Sequence, residues 1–204
     1  MSATRTTLRS VGVAVRAMVA FTVILGLGYT LLITGIGQLA LPWQANGSLQ
    51  RDASGAVVGS ALIGQSWTDA DGEALPEYFQ SRPSAAGDGY DGGASSGSNW
   101  GPENADLIAA IEERKAAIAE LEGVSPDEIP ADAVTASASG LDPHISPAYA
   151  LLQVPRVAEA RGLPEQDVRE LVESMIQSRD LGILGEPRVN VLELNLALDA
   201  RNQD

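Results

Sequence analysis

The chain has 204 residues, no Cys, one His and a formal net charge of −14. The absence of Cys excludes disulfides, thiolate metal sites and a Cys nucleophile. The charge is unevenly placed: residues 1–51 hold four Arg and no acid, whereas residues 52–204 hold nine bases and all 27 acids, a net −18. That excess excludes nucleic acid and anionic lipid as partners of the larger part.

Arg5, Arg9 and Arg16 precede an uncharged run over 17–50, which begins AMVAFTVILGLGYTLLITGIGQLAL. About 20 apolar residues, each rising about 1.5 Å, cross the hydrocarbon core of a bilayer. In lipid the backbone must satisfy its own hydrogen bonds, so the run predicts a transmembrane helix over 17–41. Residues 1–16 are then a tail, and their three Arg place it in the cytoplasm, with the chain beyond Leu41 outside. Pro42 stops the helix, and Trp43 suits the headgroup level. A cleaved secretory signal is the rival reading. It needs an apolar stretch of about 7–15 residues and small residues before the cleavage site, whereas this stretch is longer and Gln38 is a poor −3 residue. Both readings put the bulk of the chain outside. Gly26, Thr30 and Thr34 recur every four residues as a small-residue face, which lets helices approach closely in lipid; Gly and Thr are also simply common in spans.

Residues 42–56 read as a linker. The remaining 57–204 suffice for one domain with a core of its own. Residues 56–63 predict a short strand ending at Gly64. Residues 80–102 form a long Gly/Ser loop, and such loops are functional or disordered. Leu107, Ile111, Ile118 and Leu121 line one face of a helix, with Asn104 as N-cap and Gly123 beyond its C-terminus. Residues 124–131 link it to a β-leaning stretch at 133–136. A second helix should run from Pro147 to Arg161, kinked by Pro155 and stopped by Gly162. A third should run over 164–180, burying Val168, Leu171, Val172, Met175 and Ile176. Residues 192–199 alternate, LELNLALD, as in a half-buried strand, and Val189 and Val191 have the opposite parity, which implies a bulge or burial on both faces. The expected fold class is α+β: one N-terminal transmembrane helix, then one mixed α/β extracytoplasmic domain with a small sheet packed by helices.

The one His lies in SGLDPHISP, residues 139–147. Asp142, His144 and Ser146 are spaced two apart, so an extended segment aims them to one side, as a tethered hydrolase would need. A triad also requires a relay geometry and an oxyanion hole. The structural alternative is a rigid turn, with Asp142 capping it, Pro143 and Pro147 fixing φ, and Ser146 capping the next helix. A lone His without HExxH gives little basis for a metal site. No GxxxxGK[ST] phosphate loop occurs. Ser95, Ser96, Gly97, Ser98 and Asn99 can either wrap an anion with backbone amides or form a structured turn.

Six strings occur in order: GSALIGQ at 59–65; YF at 78–79 with Arg82, Pro83 and Ser84; SGSN at 96–99 with Gly101 and Pro102; VTASASGLDPHIS at 134–146; Gln153 with RVAEARG at 156–162; and VNVLELN at 189–195. Together they resemble the C subunit of the bacterial Kdp potassium-transporting ATPase, from the span to the last predicted strand. Trp100, Ala138, the Gln80-Ser81 pair and the acidic insertion at 88–93 depart from the family pattern and bear on loop details.

The resemblance implies a non-catalytic subunit in the cell membrane, single-pass, beside three partners: a potassium-binding channel-like subunit, a P-type ATPase subunit and a small single-span subunit. The family is described as a catalytic chaperone that raises the ATP affinity of the ATPase subunit. The motif residues it singles out are Arg82, Pro83, Ser84, Ser139, Gly140, Leu141, Asp142, Pro143, His144, Ser146, Asn190 and Asn195. Ser96, Gly97, Ser98 and Asn99, with Gln153 and Arg156, are its candidate nucleotide or partner contacts. No tightly bound cofactor is expected, and ATP only within the complex. With the N-terminus inside, residues 44–204 cannot reach cytoplasmic ATP, so any effect on its affinity must be coupled through the span or the partners. The same topology suggests an acidic cap over the outer mouth of the potassium-binding subunit.

Overall fold

The computed structural model describes residues 2–201. The chain divides into two compact units, one ending at Ser48 and the other beginning at Leu49.

The first unit is helical. α1 (Ser2–Phe21) runs without a break into a π-helical stretch, Thr22–Tyr29, and then into α2 (Thr30–Ala40). The wider π turns carry Gly26 and Gly28, and the Thr30 hydroxyl donates back to the Leu25 carbonyl at 3.4 Å. Residues Thr7–Ala40 form one helix of 34 residues, long and apolar enough to cross a membrane, and an 18-residue stretch of it has a mean hydropathy of 2.1. The segment expected as a tail is therefore itself helical, since α1 begins at Ser2. At the other end Leu41 leaves helical geometry, with φ −136°, and Pro42 opens the single turn α3 (Pro42–Ala45). Pro at the first helical position loses no hydrogen bond.

The second unit opens on an antiparallel hairpin, β1 (Leu49–Arg51) and β2 (Val57–Ser60), so part of the expected linker is a strand. Asp52 closes its turn by accepting from the amides of Ser54 and Ala56. Residues 61–104 contain no helix and no paired strand, only turns and isolated bridges. α4 (Ala105–Glu122) then starts where the Asn104 side chain accepts from the Asp106 amide at 2.7 Å, and it ends at Gly123, φ +67°. Both caps were legible in the sequence.

Residues 133–136 do not form a strand. α5 (Ala131–Val134) takes the first half of that stretch, following Pro130, and the Thr135 hydroxyl returns to the Ala131 carbonyl. β3 (His144–Ile145) pairs antiparallel with β4 (Val189–Asn190). The second predicted helix is two: α6 (Pro147–Leu152) and α7 (Val154–Arg161), broken at Gln153 two residues before Pro155 and stopped by Gly162, φ +64°. α8 (Glu165–Ser174) buries Val168, Leu171 and Val172 as expected, but it ends before Met175 and Ile176, which are only half-buried, because Gln177 turns away to pair with Arg188.

The largest correction lies at the end. Residues 192–199 are not a strand but part of α9 (Val191–Arg201). Val191, Leu194, Asn195 and Leu198 are buried, and their spacing is the helical one. The buried Asn hid that period, and the Leu residues at every second position imitated a strand. Val189 and Val191 are both buried, but Val191 opens α9, so their parity marks the change from strand to helix and not a bulge in a strand.

α6, α7, α8 and α9 enclose a core of Phe79, Tyr149, Val154, Val157, Val172, Val189, Leu194 and Leu198. Each such side chain contributes roughly 1.5–3 kcal/mol by leaving water. The observed architecture is thus one long apolar N-terminal helix and a mixed domain of helices with two small two-stranded sheets.

Candidate functional site

The residues singled out in the sequence converge on two loops that interlock, 80–90 and 135–146. The Pro83 carbonyl accepts from the Ser137 amide at 3.0 Å. The Ser84 hydroxyl donates to the Gly140 carbonyl at 2.6 Å and accepts from the amides of Ala86 and Tyr90. Gly140 has φ +70°, and a Cβ there would lie 2.6 Å from the Ser96 carbonyl and 2.7 Å from the Ala86 methyl, so only Gly fits. The Leu141 carbonyl accepts from the Gly64 amide at 2.9 Å, and the Ser139 hydroxyl accepts from the Leu141 amide.

At the mouth of these loops Arg82, Asp142 and His144 form a chain. One guanidinium nitrogen of Arg82 donates to Asp142 at 3.0 Å and another to the Thr135 carbonyl at 3.2 Å. The other Asp142 oxygen accepts from the His144 amide at 3.0 Å and faces Nδ1 of its ring at 3.2 Å. Burial pushes the Asp142 carboxyl up, but the two hydrogen bonds from His144 and the charge of Arg82 together hold it below the ordinary value. The Tyr90 hydroxyl donates to the Arg82 carbonyl, and burial raises its pKa to about 12. The chain opens onto a groove of about 490 Å³ whose opposite wall is Glu186, Pro187 and Arg188.

Ser146 does not complete a triad. Its hydroxyl donates to Asp132 at 2.8 Å and accepts from the Tyr149 amide as the N-cap of α6. The Asp–His pair is present, and the Ser belongs to a different network. The turn reading of this segment accounts for the Asp142 bond to the His144 amide and for Ser146 as the N-cap of α6, whereas the bonds to Arg82 and Asp132 are tertiary.

The two halves of the nucleotide candidate lie in different surroundings. Ser96, Gly97, Ser98 and Asn99 pack on the second loop: the Ser96 amide donates to the Ser139 carbonyl at 3.0 Å, and a Cβ on Gly97 would meet the Ala138 carbonyl at 2.8 Å. Asn99, at φ +54°, donates its side chain to the Gly97 carbonyl. Gln153 and Arg156 instead face inward. Gln153 is fully buried, accepts from the Gln80 amide at 2.6 Å and donates to the Gln80 carbonyl at 3.2 Å. Arg156 donates through Nε to both oxygens of Glu122 at 3.0 Å, and through its other nitrogens to the carbonyls of Pro76 and Tyr78 and to Gln153. Both ends of this ion pair are buried, at 8% and 1% exposure. Burial raises the pKa of Glu122 more than Arg156 lowers it. Every nitrogen of Arg156 thus donates within the protein, and its charge is matched by Glu122, so the side chain is an interior tie. Asn195 and Asn190 are also interior ties: Asn190 donates to the Ala61 carbonyl at 2.8 Å and accepts from the Glu193 amide.

Sequence reasoning missed Glu122, Asp132 and Tyr90. Each acts through a partner between eight and 52 residues away in the chain, at spacings that follow no helix or strand period. Gly26, Thr30 and Thr34 are exposed on the long apolar helix, in the first unit.

Comparison with known proteins fits this arrangement. Residues 11–200 match the family described as "KdpC: K+-transporting ATPase, c chain". The potassium-transporting ATPase KdpC subunit of Caulobacter vibrioides (strain NA1000 / CB15N) is 60% identical over 189 residues, covering 92% of this chain and 91% of the relative. The subunit of the same name from Myxococcus xanthus is 53% identical over 194 residues, 92% of this chain and 86% of the relative. That from Acidobacterium capsulatum is 52% identical over 188 residues, 90% of this chain and 96% of the relative. A match over nearly the full length, from the apolar helix through α9, makes the chain a member of the KdpC family, the C chain of the potassium-transporting ATPase.

Proposed function

We propose that the chain is a non-catalytic assembly and regulatory subunit of the potassium-transporting ATPase, single-pass, with its N-terminus in the cytoplasm and its acidic domain outside. Its partners are the potassium-binding channel-like subunit, the P-type ATPase subunit and the small single-span subunit. The observation that carries the reading is the fate of the polar motif residues. Ser84, Ser139, Asp142, Ser146, Gln153, Arg156, Asn190 and Asn195 bond to the chain itself, and the Ser146 hydroxyl serves Asp132 and the start of α6. A domain so organised presents shape and charge to neighbours.

The orientation rests on Arg5, Arg9 and Arg16 at the N-terminal end of the apolar run and on the absence of any basic residue beyond it until Arg51. In that orientation the domain raises the ATP affinity of the ATPase subunit by stabilising one arrangement of the complex, with no contact to nucleotide of its own. Gly26, Thr30 and Thr34 pack against a neighbouring span. The test is transport and co-purification with variants of the complex. Gly26→Leu and Thr30→Leu should release the chain from the complex, and His144→Ala should leave transport intact. Loss of transport in His144→Ala with full assembly would favour the hydrolase reading of Asp142, His144 and Ser146. Saturable binding of ATP to the full-length chain alone would favour direct nucleotide contact.

A further inference from the structure

The segment 177–188 is a hairpin that stands clear of the core. Gln177 and Arg188 exchange both backbone hydrogen bonds, at 2.8 and 3.0 Å, and Asp180 and Leu184 do the same at 2.9 Å. Leu181 and Gly182 form the turn, both at positive φ. Two ion pairs cross the stem, Arg179 with Glu186 and Arg188 with Asp180. The tip carries three large aliphatic side chains, Leu181, Ile183 and Leu184, which are 89%, 77% and 55% exposed.

Single exposed aliphatics are ordinary, but three on one stiffened tip are a patch. Its charge narrows what covers it. The hairpin holds two bases and two acids, paired with one another, within a segment of net −18. Its stem therefore brings no net charge to a partner. A bilayer surface is a poor fit, because a loop held there needs aromatic or excess basic residues, and this one has neither. A second copy is a poor fit too, since pairing two tips would bring two strongly acidic domains together.

We propose that the hairpin 177–188 is a docking finger whose tip, Leu181, Ile183 and Leu184, seats in an uncharged apolar pocket on another subunit of the ATPase complex. This rests on the assembly reading above. The experiment uses the whole complex with the photoreactive p-benzoylphenylalanine replacing Ile183, irradiated in native membranes and then purified through a tag on a different subunit. The expected result is that the chain co-purifies and carries a covalent adduct to another subunit. Failure to co-purify without irradiation in the unsubstituted complex overturns the assembly reading. Co-purification with adducts only to lipid, only to a second copy, or to nothing overturns the finger and leaves assembly standing. As a second readout, Leu181→Ser with Ile183→Ser should leave the domain folded, because neither side chain enters the core. It should also speed dissociation of the chain from the complex roughly tenfold or more, as loss of an apolar anchor does. An unchanged dissociation rate would equally overturn the finger.

Discussion

Asn195 holds both backbone hydrogen-bonding groups of Phe79, accepting from its amide at 2.9 Å and donating to its carbonyl at 3.0 Å, in a fully buried contact. A side-chain amide on α9 thus supplies what a neighbouring strand would supply to a segment that has none. Replacing Asn195 with Leu leaves a buried amide and a buried carbonyl unpaired, each at about 1–3 kcal/mol. We expect urea unfolding of the full-length chain in detergent to show a loss of about 2–5 kcal/mol. Asn195→Ser, which is shorter but still polar, should recover little of it.

Gly140→Ala places a methyl against the Ser96 carbonyl in a left-handed backbone. The two loops must part to admit it, and a cost of more than about 2 kcal/mol is expected. Gly162→Ala is the control, since it has a similar φ, +64°, and nothing within 4 Å of the added Cβ. That variant should lose only about 1 kcal/mol. Equal losses in both would mean that the loops do not interlock at Gly140.

The Asp142 carboxyl is held below its ordinary value by His144 and Arg82, against the push of burial. A carboxyl whose pKa is lower folded than unfolded stabilises the fold above the ordinary carboxylate value. That stabilisation is lost as pH falls through the folded value. Asp142→Asn should therefore cost about 1–2 kcal/mol at neutral pH, a modest figure for a partly exposed group. It should also flatten the fall in stability below the ordinary carboxylate range. An unchanged acid limb would contradict the assignment.

Arg156 and Glu122 form the most deeply buried ion pair, 8% and 1% exposed. Arg156→Met leaves Glu122 buried without a counter-charge and should cost about 3–5 kcal/mol. Because burial already raises Glu122, its charged form weakens the fold as pH rises above the ordinary carboxylate value, and the variant should steepen that loss. A pH profile parallel to that of the parent would contradict this.

Local chemistry made much of the fold legible. Asn104 and Gly123 bound α4 where a polar cap and a glycine are expected, and the apolar run before Pro42 is one helix. The stripe of Val168, Leu171 and Val172 was legible, although the end of α8 was not, because that end is set by a pairing with Arg188 that local sequence does not show. α9 was misread because Leu at alternate positions satisfies both periods, and the buried Asn195 appeared to interrupt the helical one. In the site, the turn roles of Asp142 and Ser146 follow from spacing. The links from Ser146 to Asp132 and from Arg156 to Glu122 do not, since they join segments that only tertiary packing brings together.

The account depends most on which side of the membrane the acidic domain occupies. The chain has no Cys, so Asp88→Cys in the exposed part of the 80–102 loop gives a single thiol. Labelling that thiol with a membrane-impermeant maleimide in intact cells is the direct measurement. The account predicts full labelling in intact cells and protection in inverted vesicles; protection in cells with labelling in inverted vesicles would contradict it.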